Sequence, residues 1–94
     1  MGKEDLFYDY LEQPRAIRTL LILFRTPSRS LDEVLVLIGG SKSTGMKRLK
    51  DLAQLGLLSK EASIHEPKRI FYRLNDKGVA LAQIIIKLGE NYNE

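Results

Sequence analysis

The 94 residues suffice for one domain, expected over 1–94, with a core thin enough to gain from oligomerisation. The absence of cysteine excludes disulfides, thiolate metal sites and cysteine nucleophiles together, and apolar residues at 44% beside charged ones at 29% are ordinary for a soluble globular chain. Apolar runs far shorter than the ~18 residues of a membrane span and a charged start exclude a spanning segment and a secretion signal, while the net charge of +3 favours no partner as a total.

The first predicted element is a helix over 5–12, where Leu6, Phe7, Tyr10 and Leu11 form an apolar stripe at helical spacing. Pro14 suits the first turn of a second helix, because its missing N–H costs nothing there. Ile17, Leu20, Leu21 and Phe24 continue that helix until Pro27 disfavours helical geometry at Thr26. Ser30-Leu31-Asp32-Glu33 reads as a capping box opening a third helix, which Gly39-Gly40 stops. Ser41 caps a fourth helix running to about Leu55, and Gly56 is free to take a left-handed exit. Two helices across a Gly-containing turn make a helix-turn-helix over about 31–55. A β-hairpin follows over about 57–74, with its loop near His65–Lys68 and with Ile70, Tyr72 and Leu74 facing inward. Asn75 or Asp76 caps a last helix over 76–90. The order α-α-α-α-β-β-α predicts an α+β domain.

Charge is distributed unevenly along this order. Residues 41–73 hold eight cations (Lys42, Lys47, Arg48, Lys50, Lys60, Lys68, Arg69, Arg73) against Asp51, Glu61 and Glu66, whereas each flank nets −1. Such asymmetry points to one basic face and a polyanionic partner. At about 100° per residue, Gly45, Leu49, Leu52, Ala53 and Gly56 share an arc toward the core. Ser43, Thr44, Lys47, Arg48 and Lys50 are left around the outer face of the fourth helix. Cations there can meet phosphates and base acceptors in a major groove, and short hydroxyls permit close approach. The first-turn N–H groups behind Ser41 favour a phosphate, and Lys42, pointing sideways, adds attraction. On the hairpin, Lys60, Lys68, Arg69 and Arg73 can reach backbone phosphates or a minor groove. Arg29 reads equally as a phosphate contact or an ordinary loop residue. Double-stranded DNA is the expected partner, and the cytoplasm, on the nucleoid, the expected location.

Three stretches carry a family resemblance. They are Ser41-Lys-Ser-Thr-Gly-Met-Lys-Arg-Leu-Lys-Asp-Leu, Leu55-Gly-Leu-Leu-Ser-Lys and Phe71-Tyr-Arg-Leu-Asn-Asp-Lys-Gly. In this order and spacing, residues 30–78 resemble the winged-helix transcriptional regulators of the broad MarR/ArsR/PadR/HxlR group. The resemblance implies a homodimer that regulates transcription, with one recognition helix per subunit in successive major grooves. It also implies base reading by Ser43, Thr44, Lys47 and Met46, and a wing role for Lys68 and Arg69. Two departures stand out. Gly45 replaces the usual aliphatic residue, at about 1 kcal/mol in helix propensity. The cysteines of ArsR-type metal sites and of HxlR-type proteins are missing.

The last helix is too apolar to bury only one face, since all residues from Val79 to Leu88 except Gln83 and Lys87 are Val, Leu, Ile or Ala. Leu81, Ile84, Ile85 and Leu88, with Leu6, Phe7, Tyr10 and Leu11, are therefore expected to form a two-fold dimer interface. Catalysis finds no support. His65 is the sole histidine, so no metal site is expected. Ser41, Ser43 and Thr44 lack a positioned base, and Gly39–Thr44 departs from phosphate-loop spacing. No catalytic residue and no cofactor is expected. The leading reading is a dimeric, sequence-specific transcriptional regulator. Its alternatives are a sequence-tolerant architectural DNA-binding protein and a winged-helix protein–protein interaction module.

Overall fold

The computed structural model describes residues 2–26, 29–62 and 70–93. In chain order these form α1 (Lys3–Leu11), α2 (Ala16–Arg25), α3 (Leu31–Ile38), α4 (Lys42–Gln54), β1 (Leu58–Ala62), β2 (Ile70–Leu74) and α5 (Asp76–Tyr92). The class is α+β, and α3–α4 with the hairpin make a winged helix-turn-helix. Among the described residues no helix is long and apolar enough to cross a membrane.

Local chemistry sets most of the helix starts. Ser30 Oγ accepts the Glu33 N–H, and the Glu33 carboxylate accepts in return from the Ser30 hydroxyl at 3.1 Å. Arg29 donates to the same carboxylate at 2.8 Å and, ahead of Ser30, holds it below its ordinary pKa. Ser41 Oγ accepts the Thr44 N–H at 3.1 Å, and Asn75 Oδ1 accepts that of Gly78 at 2.9 Å. Asn75 also donates through Nδ2 to the Gly56 carbonyl at 2.7 Å, which fastens the start of α5 to the left-handed exit of α4.

The start of α2 differs from expectation. Pro14 lies in the α1–α2 corner rather than inside the helix, and Arg15 takes the N-cap position with a left-handed φ of 64°. That conformation costs on the order of 1 kcal/mol for a residue with a Cβ. A long-range bond offsets it: Arg15 Nη1 donates to the Ile38 carbonyl at 2.7 Å, at the end of α3. The guanidinium lies over the Gly39-Gly40 turn, where a Cβ on Gly40 would come within 2.7 Å of Arg15 Nε.

The core draws Leu20 and Leu23 from α2, Val34 and Ile38 from α3, and Leu49 and Leu52 from α4. Tyr10, expected at a subunit interface, belongs to this core instead. Its hydroxyl donates to the Ala16 carbonyl at 2.9 Å, and burial pushes its phenol above the usual range. Gly45 is buried where α3 and α4 pack together, and a Cβ there would fall 2.6 Å from Leu35 Cδ2. A side chain at this mid-helix position would require Leu35 to shift.

β1 and β2 pair antiparallel with Leu58 opposite Leu74, Lys60 opposite Tyr72 and Ala62 opposite Ile70. A single bridge from Ser30 to Phe71 adds a partner for β2, so the cap of α3 is also joined to the hairpin. Of the three residues expected to face inward, Leu74 is buried and Tyr72 half-buried, but Ile70 is exposed. Burial fades because the hairpin leaves the body of the domain as it extends.

Candidate nucleic-acid interface

On α4 the buried residues are Gly45, Arg48, Leu49 and Leu52. Their arc is rotated from the predicted one, so Ala53 lies exposed on the flank nearer the hairpin. Opposite the buried arc, Ser43, Lys47 and Lys50 form one exposed stripe at i, i+4, i+7. Ser41 and Lys42 are exposed at the helix start, and the half-buried Thr44 sets its hydroxyl 2.9 Å from Ser41 Oγ. Capping thus engages both hydroxyls, while the first-turn N–H groups carry the positive end of the helix dipole.

Arg48 departs from the expected outer face. It is 6% exposed; its Nε donates to Asp51 at 3.1 Å and its Nη1 to the Pro14 carbonyl at 3.2 Å. Arg29, which the sequence left open between a phosphate contact and an ordinary loop residue, is paired with Glu33.

The hairpin cations are divided as well. In the observed register, Lys60 shares a face with Tyr72 and Leu74, and this face borders α4. Arg73, paired with Ser59, occupies the opposite face and is exposed. Lys68, Arg69 and His65 lie outside the described residues. Between α4 and the hairpin runs an open cleft of about 410 Å³. Met46, Leu49, Ala53, Leu58 and Tyr72 form its floor, and Lys47, Lys50 and Lys60 form its rim. Sequence reasoning missed the contribution of Ala53 and Tyr72 here. The strand period does place Tyr72 with Leu74, but only the register brings Lys60 beside it.

The terminal helices present a mixed surface. Leu6, Ile84 and Leu88 are 55%, 58% and 64% exposed, whereas Phe7, Leu11, Leu81 and Ile85 are half-buried against the chain's own core. Leu6 and Phe7 of α1 and Leu81 of α5 line one common cleft, so the two helices border the same side of the molecule.

The model of the HxlR-like helix-turn-helix family matches residues 17–94. No curated protein sequence matches the chain. Among solved structures, the reduced form of the transcriptional regulator YodB from B. subtilis is similar with a TM-score of 0.81 at 20% identity, covering 96% of this chain and 88% of that one. The S. aureus MepR–DNA complex is similar with a TM-score of 0.76 at 12% identity, covering 97% and 75% respectively. A homodimeric winged helix-turn-helix DNA-binding domain from Mycobacterium bovis has a TM-score of 0.75 at 18% identity, covering 98% and 82%. At these identities the likeness is one of fold.

Proposed function

Because the chain belongs to the HxlR-like helix-turn-helix family, we propose that it is a dimeric, sequence-specific transcriptional regulator that binds double-stranded DNA. The observation that carries this reading is the exposed Ser43-Lys47-Lys50 stripe on α4, opposite the helix's buried side. Lys47 reads base edges in the major groove, where an ammonium meets the acceptors of guanine. Ser43 makes close polar contacts beside it. Lys42 and the N–H groups of the first turn of α4 hold a phosphate. Lys60 and the hairpin-loop cations Lys68 and Arg69 take the flanking backbone, and Arg73 adds charge from the other face of the hairpin. Two subunits set two such faces on a palindromic site about one helical turn apart. The whole chain serves as one DNA-binding unit on the nucleoid in the cytoplasm.

In vitro selection from random duplexes, followed by competition binding, tests the reading. A regulator prefers its selected site over random DNA by about 10³-fold or more, and an architectural protein does not. Lys47→Ala is expected to weaken the selected site by about 5- to 150-fold and to relax its sequence preference. Lys60→Ala is expected to weaken all sequences alike and lower the salt slope by about one per subunit. An unchanged affinity and preference in Lys47→Ala removes α4 from base recognition.

A further inference from the structure

Beside the cationic stripe of α4 lies a surface that phosphate attraction does not explain. Met46 is 39% exposed and projects from the flank of the helix next to the hairpin. With Ala53, Leu58 and Tyr72 it gives the cleft an apolar lining, shared with Lys47, Lys50 and Lys60. Solvating such a lining is unfavourable, so the ligand that fits best is anionic along its edges and apolar between them. A strand of duplex DNA meets that description at one kind of base. In the major groove the only apolar group on a base edge is the 5-methyl of thymine.

Position strengthens the match. Met46 is in the N-terminal half of α4, the half of a recognition helix that contacts base edges. It lies one turn from Lys50 and adjoins Lys47, so a methyl resting on its thioether leaves both cations free for neighbouring phosphates and acceptors. Three rotatable bonds let the Met side chain follow the methyl without backbone adjustment. Resting on the DNA-binding reading above, we propose that Met46 is a specificity-determining residue that reads one thymine per half-site through its 5-methyl group.

The test uses the full chain and the duplex it selects. Each thymine of that duplex is replaced singly by deoxyuridine, which keeps the base pair and removes only the methyl. One thymine per half-site is expected to show about a fourfold loss of affinity, the factor carried by burying one methyl-sized apolar group. In Met46→Ala the thymine and deoxyuridine duplexes are expected to bind equally, with the salt slope unchanged. Met46→Leu is expected to restore the discrimination. The inference is overturned if no thymine responds, or if Met46→Ala keeps the same thymine-to-deoxyuridine ratio. Failure to select any duplex is a different result, because it overturns the DNA-binding reading itself.

Discussion

The guanidinium of Arg48 is held by Asp51 on one side and the Pro14 carbonyl on the other, so removing it is a stability event. Hydrogen bonds to charged groups contribute roughly 1.5–3 kcal/mol, and the pair is shielded at the arginine while Asp51 stays partly exposed. Arg48→Ala is expected to cost about 2 kcal/mol in thermal or denaturant unfolding while leaving the salt slope of DNA binding unchanged. Lys47→Ala, one residue away, is expected to leave unfolding unchanged while weakening DNA binding and relaxing its sequence preference. The difference was hard to read from sequence because both are cations within one basic helix. Helical angles alone leave Arg48 at the margin of the buried arc, and the corner that receives it is 34 residues away in the chain. Ser41 was legible for the opposite reason: its capping partner, Thr44, is three residues on.

At the scale of elements, two glycines of α5 are expected to respond oppositely to the same substitution. A Cβ at Gly78 would meet the Leu57 carbonyl oxygen at 2.5 Å, and this is backbone that cannot swing aside. Gly78→Ala is therefore expected to destabilise by about 1–3 kcal/mol despite the gain in helix propensity. Gly89 meets nothing within 4 Å, so Gly89→Ala is expected to stabilise by roughly 0.5–1 kcal/mol. Unfolding midpoints of the two variants check both signs. Helix order, the three Ser and Asn caps and the hairpin strands were legible because each depends on neighbours within a few residues. The Arg15 cap and the Ser30–Phe71 bridge were not, since each is decided by a contact distant in the chain. The cleft beside α4 was illegible for a related reason: its floor depends on the register that sets Lys60 against Tyr72.

Across the whole molecule, polarity separates a cationic surface from an apolar one. The exposed cations of α4 and the hairpin lie on elements distinct from α1 and α5, where Leu6, Ile84 and Leu88 face solvent. Seventeen residues make α5 about 25 Å long, enough to offer a continuous apolar rail to a second copy. The double variant Ile84→Glu, Leu88→Glu changes only exposed positions, so the subunit should still fold. Sedimentation at micromolar concentration is expected to give twice the chain mass for the wild type and one chain mass for the variant. Its affinity for a palindromic site should fall at least 100-fold, through loss of the linked second contact. An unchanged dimer mass in the variant moves the interface elsewhere. The two arginine-to-carbonyl bonds, spanning 23 and 34 residues, also bear on how the molecule can be divided. Arg15 closes the last turn of α3, and Pro14 receives the arginine of α4, so the corner after α1 is a hidden third support of the helix-turn-helix. A fragment cut to residues 30–74 would keep the residues proposed to face DNA, yet it would lose both tethers and the α2 side of the core. The helix-turn-helix is not a detachable module.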